Sequence, residues 1–183
     1  RPPTGLLADA VITNNYEAAI EATRHLINHG HRKIAYLGNE PAISMARGRQ
    51  RGFTDAMAAA GLAETSLQIA GMRSEQEGYA AVHGLVHLDN PPTALFSSHY
   101  LITLGAIRAL HDLQLEQQIA LIGFDDLVLA DLVRPAITVM APDPTRLGTI
   151  AAERTFARLD GDTSPVQTIV VAAKLIARGS GEI

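Results

Sequence analysis

The sequence alternates short apolar runs with longer segments whose apolar residues recur every three to four positions. The runs at 33–38 and 119–123 have the length and apolar content of buried strands, whereas apolar residues recur at helical spacing through 43–60. Strands that alternate with helices in this way are typical of a parallel sheet with right-handed crossovers. We therefore predict an α/β fold with a doubly wound parallel sheet. Ligands of such folds bind beyond the carboxyl ends of the strands.

The predicted elements follow one another along the whole chain. Strands are expected at about 10–13, 33–38, 67–70, 92–97, 119–123, 137–140 and 168–176, and helices at about 14–29, 43–60, 74–88, 101–113, 127–133 and 145–159. Asn14 and Glu17 have the spacing of a capping box at the start of the first helix. The connector 141–144 contains two prolines, which indicates either a crossing between two lobes or an ordinary surface loop.

Composition excludes several classes of function. The 183 residues are 47% hydrophobic, contain no cysteine and carry a net charge of −4. A chain this apolar buries a core, and its acidic balance leaves no basic patch for DNA phosphates. The lack of cysteine excludes disulfides and thiolate chemistry. No apolar run approaches the roughly 18 residues of a membrane span. No phosphate-binding glycine loop and no nucleophile motif occurs, so we expect neither an enzyme nor a resident cofactor.

Two carboxylates directly follow the strand at 119–123. Asp125 and Asp126 would lie at the rim of the sheet, where a carboxylate can accept hydrogen bonds from a ligand. The alternative is that a turn acid caps the next helix, which is the role we expect for Asp126.

Histidines occur twice at a spacing of four residues, which is compatible with metal binding on a helix. The pairs are His25 with His29 and His83 with His87. No third ligand is evident near either pair, so we interpret both as exposed helix faces and expect no metal.

Eight short fragments, in order along the chain, carry a resemblance to one known family. They are VITNNY at 11–16, HLINHGHRKIA at 25–35, RQRGF at 49–53, PTA at 92–94, IGFDD at 122–126, PAITV at 135–139, LG at 147–148 and RGS at 178–180. Together they resemble the effector-binding domain of the LacI/GalR family of bacterial transcription regulators. No single fragment is specific for this family, but the order and spacing of the eight fragments are.

This resemblance implies a two-lobed fold similar to that of periplasmic sugar-binding proteins, with a small-molecule effector between the lobes. Residues 13–130 and 164–183 would form the C-terminal lobe, and 131–163 an excursion into the N-terminal lobe that includes the connector. The sequence opens Arg1-Pro2-Pro3 without an initiator methionine, which is typical of a piece of a longer protein. The resemblance implies that a DNA-binding domain and most of the N-terminal lobe precede it. The resemblance also implies operator DNA as a partner of that absent domain, a homodimer and a cytoplasmic protein without membrane contact.

The resemblance assigns candidate effector-binding residues. Arg49 falls where the family has an arginine that reaches the effector, and Asp125 matches the family's cleft aspartate. A guanidinium can hold two ligand oxygens at once. The chain departs from the family pattern at His99-Tyr100, where Asn-Asp is usual, and at Arg73, where an aromatic residue often stacks on the ligand. Arg49, Arg73 and His99 around one cleft favour an anionic sugar or sugar derivative.

Two other functions remain open on the sequence. A periplasmic sugar-binding protein of a transport system shares the fold, and a signal peptide in place of an upstream helix-turn-helix would distinguish it. A sugar-processing enzyme would need a catalytic motif. The expected dimer could use the helix that begins at Ser74 or the apolar run after Asp126, which could instead be core. That run comprises Leu127, Val128, Leu129 and Leu132.

Overall fold

A computed structural model of the protein describes residues 7–183. The opening Arg1-Pro2-Pro3 lies outside the described residues. The strands are β1 Ala10–Thr13, β2 Ile34–Asn39, β3 Leu67–Met72, β4 Ala94–Ser97, β5 Ala120–Phe124, β6 Thr138–Ala141, β7 Thr168–Val171 and β8 Lys174–Ile176. The helices are α1 Asn15–Asn28, α2 Ser44–Ala59, α3 Glu75–Val86, α4 Tyr100–Asp112 and α5 Pro144–Leu159. None of these helices combines the length and the apolar character needed to cross a membrane.

The strands form two separate sheets. The large sheet has the order β3-β2-β4-β5-β6-β8, and all of its pairs are parallel except that of β8 with β6. The small sheet is a parallel pair of β1 and β7. The predicted α/β class with a parallel, doubly wound sheet is confirmed.

Helices cover both faces of the large sheet. On one face α1 and α2 pack over a cluster that contains Tyr36, Phe53 and Phe96, and on the other α3 and α4 enclose Leu95 and Leu121. β4 and β5 are buried along their whole length. A strand covered on both faces needs a continuous apolar run, which explains why these strands are visible in the sequence.

The chain passes between the two sheets three times. The first passage follows β1, the second follows Ala141 at the end of β6, and the third lies between Val171 of β7 and Lys174 of β8. The expected excursion at 131–163 includes β6, which pairs with β5 in the large sheet. The connector 141–144 directly follows the strand at which the chain leaves that sheet.

Three expected local features differ in the structure. Residues 127–133 form turns, closed by hydrogen bonds such as Ala130 N to Leu127 O, and Ile137 N donates to Ala130 O across the segment. The single strand expected at 168–176 is divided between the two sheets. The capping box of α1 does not form, since Asn14 Oδ1 accepts a hydrogen bond from Ala173 N at 2.8 Å. This hydrogen bond links the segment after β1 to the segment between β7 and β8.

Candidate functional site

A cleft of about 550 Å³ separates the large sheet's helices from the small sheet and α5. Its walls include the start of α1 and the first turns of α2 on one side, and α5 and β7 on the other. The lining residues include Asn15, Ser44, Met45, Gly48, Leu147 and Val170. A cleft of this size between two lobes is where small ligands bind in such folds.

Arg49 lies behind this cleft with only 8% of its surface exposed. Its Nε donates to Asn15 Oδ1 at 2.7 Å, and its Nη1 donates to the Ser98 carbonyl at 2.6 Å. The guanidinium carbon lies 3.5 Å from the centroid of the Phe124 ring. Burial lowers the pKa of Arg49, and the nearby Asp125 carboxylate opposes this change. The arginine therefore joins the start of α1 to the carboxyl ends of β4 and β5.

Asp125 stands at the end of β5 with its carboxylate partly exposed. Its Oδ2 is 3.9 Å from Arg49 Nη1, and the described residues donate no hydrogen bond to the carboxylate. Its backbone has a φ of 75°, in the left-handed region that few residues other than glycine adopt, and its N–H donates to Met140 O. Backbone strain of this kind is concentrated at binding sites. The oxygens of the carboxylate can therefore still accept hydrogen bonds from a ligand.

His99 lies beside this pair at the start of α4. Its Nδ1 accepts a hydrogen bond from Leu101 N at 3.3 Å, so the ring is the N-cap of the helix. Burial lowers the pKa of His99, Asp125 raises it and Arg49 lowers it. The preceding Ser98 is 1% exposed, and its hydroxyl has no hydrogen-bond partner within residues 7–183.

Arg73 belongs to a different ion pair. Its Nη2 is 2.5 Å from Glu40 Oε2, and 70% of its side chain is exposed. The Glu40 carboxylate raises the pKa of Arg73 and balances its charge. Of the four sequence-predicted site residues, the structure brings together Arg49, Asp125 and His99, and it pairs the fourth with Glu40.

Asp126 does not cap a helix. Its two carboxylate oxygens accept hydrogen bonds from Arg178 Nη1 and Nη2 at 2.7 and 2.8 Å, and its Oδ1 also accepts one from Leu127 N. This bidentate pair attaches the turn after β5 to the segment after β8. The expectation of a helix cap was wrong because no helix follows.

The histidine pairs form no metal site of three or more ligands within the described part of the chain. His29 and His87 are exposed, as the interpretation of exposed helix faces requires. His25 differs, since it is largely buried and its Nε2 contacts Glu182. His83 stacks on His87, with ring centroids 5.5 Å apart.

Sequence reasoning missed two members of the site, Asn15 and Ser98. Asn15 follows another asparagine and was interpreted as part of a helix start, and Ser98 follows a strand as many serines do. Neither has a local signal, because each enters the site only through its contact with an arginine more than 30 residues away.

Residues 23–181 match the profile of a family described as periplasmic binding protein-like domain. The HTH-type transcriptional repressor PurR of Yersinia pestis bv. Antiqua (strain Antiqua) is 34% identical over 179 residues, which cover 96% of this chain and 52% of the repressor. The chain spans about half the length of the curated relatives it matches.

Solved structures agree with this match. A LacI transcriptional regulator from a Rhodococcus species is 26% identical, with a TM-score of 0.86 over 97% of this chain and 66% of that one. A sugar-binding LacI-family regulator from Escherichia coli, solved with phosphate, is 29% identical, with a TM-score of 0.78 over 92% of this chain and 61% of that one. This chain belongs to the family of periplasmic binding protein-like domains, and its relatives are LacI-type transcriptional repressors and regulators.

Proposed function

We propose that this chain is the effector-binding domain of a LacI-type transcriptional repressor and that a sugar or sugar derivative binds in its interlobe cleft. The observation that carries the proposal is the group of Arg49, Asp125 and His99 at the carboxyl ends of neighbouring strands. In open α/β sheets this edge is the ligand side. The repressor relative supports the regulatory output. We also propose that the chain binds its ligand without catalysing a reaction and that the protein is cytoplasmic.

The three side chains suit a polyhydroxylated ligand. The partly exposed Asp125 carboxylate accepts hydrogen bonds from ligand hydroxyls, while Nη2 of Arg49 still has its N–H groups to donate within the described structure. No side chain caps the amino terminus of α2, where Ser44 and Met45 line the cleft. Free N–H groups at a helix start favour ligand oxygens. Arg73 would join this site only after it separates from Glu40.

The division of the chain into lobes follows the sheets in this proposal. The large sheet and its helices form the C-terminal lobe, and β1, α5 and β7 belong to the N-terminal lobe. A ligand that contacts Asn15 and Ser44 on one side of the cleft and the wall around Leu147 and Val170 on the other would stabilise one arrangement of the lobes. Such a ligand shifts DNA binding only if its affinity differs between the two arrangements. DNA would be contacted by a helix-turn-helix domain outside this chain, in a homodimer.

The first experiment measures thermal unfolding of the full-length protein with glucose, glucuronate, glucose 6-phosphate and inosine. A ligand at 100 times its Kd adds about 2.7 kcal/mol to the free energy of unfolding, which is a visible shift in Tm. Asp125→Asn should abolish the shift. Asp89→Asn is the matched control, because Asp89 is exposed and its side chain makes no hydrogen bond or ion pair within residues 7–183. An unchanged shift in Asp125→Asn would refute the proposed cleft.

A second experiment separates a regulator from a transport protein. The full-length protein is tested by fluorescence anisotropy on DNA from upstream of its own gene, with and without the ligand that shifts Tm. We expect the ligand to change the Kd for DNA at fixed salt concentration. Ligand binding without any DNA binding would instead support a sugar-binding protein of a transport system.

A further inference from the structure

We propose that His83 and His87, at the C-terminal end of α3, bind a copper(II) ion through one ring nitrogen each. The two residues lie four positions apart, which places their side chains on one face of the helix. The sequence alone predicts no metal at either histidine pair, since no third ligand is evident. The structure distinguishes the two pairs and leaves this one free to bind a metal.

A hydrogen bond to the backbone fixes the orientation of His87. Its Nδ1 is 2.7 Å from the carbonyl oxygen of His83, and because a carbonyl can only accept, Nδ1 carries the proton. In the neutral ring Nε2 then keeps its lone pair. Histidines that bind metals commonly donate their other N–H to a backbone carbonyl in this way. His87 therefore has the tautomer and the support of a metal ligand.

The ring of His83 lies beside that of His87 and is not used by the fold. The two rings are nearly parallel, with planes 12° apart and centroids 5.5 Å apart, and the ring of Tyr79 lies 5.3 Å from His83. The ring nitrogens of His83 make no hydrogen bond within residues 7–183. A metal bound by both rings needs nitrogen ligands at about 2.0–2.1 Å, which neighbouring rings can reach by small rotations.

The pair of His25 and His29 has the same spacing but already holds the fold together. His29 Nδ1 also bonds the carbonyl four residues earlier, at 2.8 Å. The Nε2 of His25, however, contacts the Glu182 carboxylate, and only 14% of that histidine side chain is exposed. Glu182 also accepts hydrogen bonds from Thr138 Oγ1 and Gly179 N, so it attaches α1 to the segment after β8. A metal at this pair would have to break that attachment.

The donor set favours copper(II) among the divalent ions. Imidazole suits copper, and copper(II) binds nitrogen ligands more tightly than the other divalent ions of its row and accepts a tetragonal arrangement of nitrogen and oxygen ligands. His87 is exposed and His83 is partly exposed, so water can fill the remaining positions.

The proposed copper site lies apart from the interlobe cleft. α3 begins after the carboxyl end of β3 and ends before the start of β4, and both strands run parallel to β2. Its C-terminal end is therefore at the opposite edge of the large sheet from Asp125, which follows β5. The inference does not depend on the proposed function, and effector binding should not need the metal.

Titration of the tag-free full-length protein with Cu²⁺ tests the site, with calorimetry for the Kd and electron paramagnetic resonance for the ligands. We expect the spectrum of the wild type to show two equatorial imidazole nitrogens. His83→Asn and His87→Asn should each lose one of them and raise the Kd by about tenfold or more. His29→Asn is the matched control and should change neither, because its partner His25 is held by Glu182.

The Tm of each variant without copper shows whether the fold is kept. If the partly buried His83 cannot be replaced, the exposed His87 decides the question by itself. An unchanged spectrum and Kd in His87→Asn would overturn the inference. Equal losses in His29→Asn and His87→Asn would also overturn it, because copper would then bind exposed histidines without preference for this pair.

Discussion

At the scale of single residues, Arg49 links three segments that are far apart in the sequence. Its replacement by methionine should lower the free energy of unfolding by roughly 2–3 kcal/mol, because Asn15 Oδ1 and the Ser98 carbonyl lose charged donors in a buried place. The Asp125 carboxylate would also lose its nearest cation. Urea unfolding measures this change.

The control for that variant is Arg47→Met, two residues earlier on the same helix. Arg47 is exposed and makes one long hydrogen bond to Pro41 O, at 3.4 Å, so we expect a change below about 0.5 kcal/mol. Equal losses in the two variants would show that the contacts of Arg49 do not stabilise the fold.

Site residues could be predicted from the sequence where they belong to a recognisable motif, and the contacts of residues outside such motifs could not. Asp125 follows an apolar strand and therefore had to lie at the sheet edge, and Arg49 was assigned by the family pattern. The partner of Arg73 could not be foreseen, because Glu40 lies 33 positions away and meets it only where β2 and β3 end side by side. Side-chain pairs between elements depend on register and rotamer, which residue spacing does not specify.

At the scale of elements, the close crossing of α3 and α4 depends on glycine. A Cβ built on Gly105 would lie 2.1 Å from Glu75 O, so Gly105→Ala should separate the helices and lower the free energy of unfolding by about 2 kcal/mol. Gly84 on α3 is a matched control, because nothing lies within 4 Å of its added Cβ. Gly84→Ala should stabilise the protein by up to about 1 kcal/mol, by helix propensity alone. Thermal unfolding of both variants checks the opposite signs.

The attachment of α5 to β1 should weaken in acid. Asp9 accepts hydrogen bonds from Arg154, Arg158 and Gln167 N, and these contacts, led by that of Arg158, hold its pKa well below the usual value of 3.8. A carboxylate with a lowered folded-state pKa stabilises the protein fully above its unfolded-state pKa, and this stabilisation is lost as the pH falls below that value. The free energy of unfolding should therefore fall below about pH 4.

Asp9→Asn tests that dependence. The variant should be less stable at pH 7 and should lose less stability between pH 5 and pH 3 than the wild type does. Asp160→Asn serves as the control, because Asp160 lies at the exposed C-terminal end of α5. Parallel pH curves for Asp9→Asn and the wild type would contradict the role of Asp9.

Most elements were predictable because burial on two faces leaves a clear apolar pattern. β5 and the helices around the large sheet were expected within a few residues of their bounds. The elements that were predicted wrongly share one cause: their conformation depends on contacts with residues that are distant in the sequence. The strand expected at 168–176 changes sheet at Ala172 and Ala173, and the turns at 127–133 are fixed by the hydrogen bond of Ile137 N to Ala130 O.

At the scale of the whole molecule, exposed apolar side chains cluster on two surfaces of residues 7–183 that we compare as association surfaces. After β5, Leu127 is buried in the core, whereas Val128, Leu129 and Leu132 are each more than half exposed, so only the first residue of this run is core. The other surface is on α5, which has no buried residue and exposes Phe156 and Leu159. Exposed apolar patches of this kind mark association surfaces.

We expect the proposed homodimer to use the surface after β5. Leu129→Asp should convert the full-length protein to monomers in sedimentation velocity, because a charge in a buried apolar contact is strongly unfavourable. Leu159→Asp on α5 is the comparison and should leave the dimer intact. The reverse pattern would assign dimer formation to the α5 surface.

The pairing of β1 with β7 has a consequence for the order of folding during synthesis. Ala10 is synthesised long before its partner Thr168. β2, β4 and β5 are all synthesised by Phe124, so the centre of the large sheet can assemble first. β1 must wait for β7, and its apolar residues stay open to chaperones during that interval. A translational pause after β5 would therefore give the larger lobe time to fold before the smaller sheet closes.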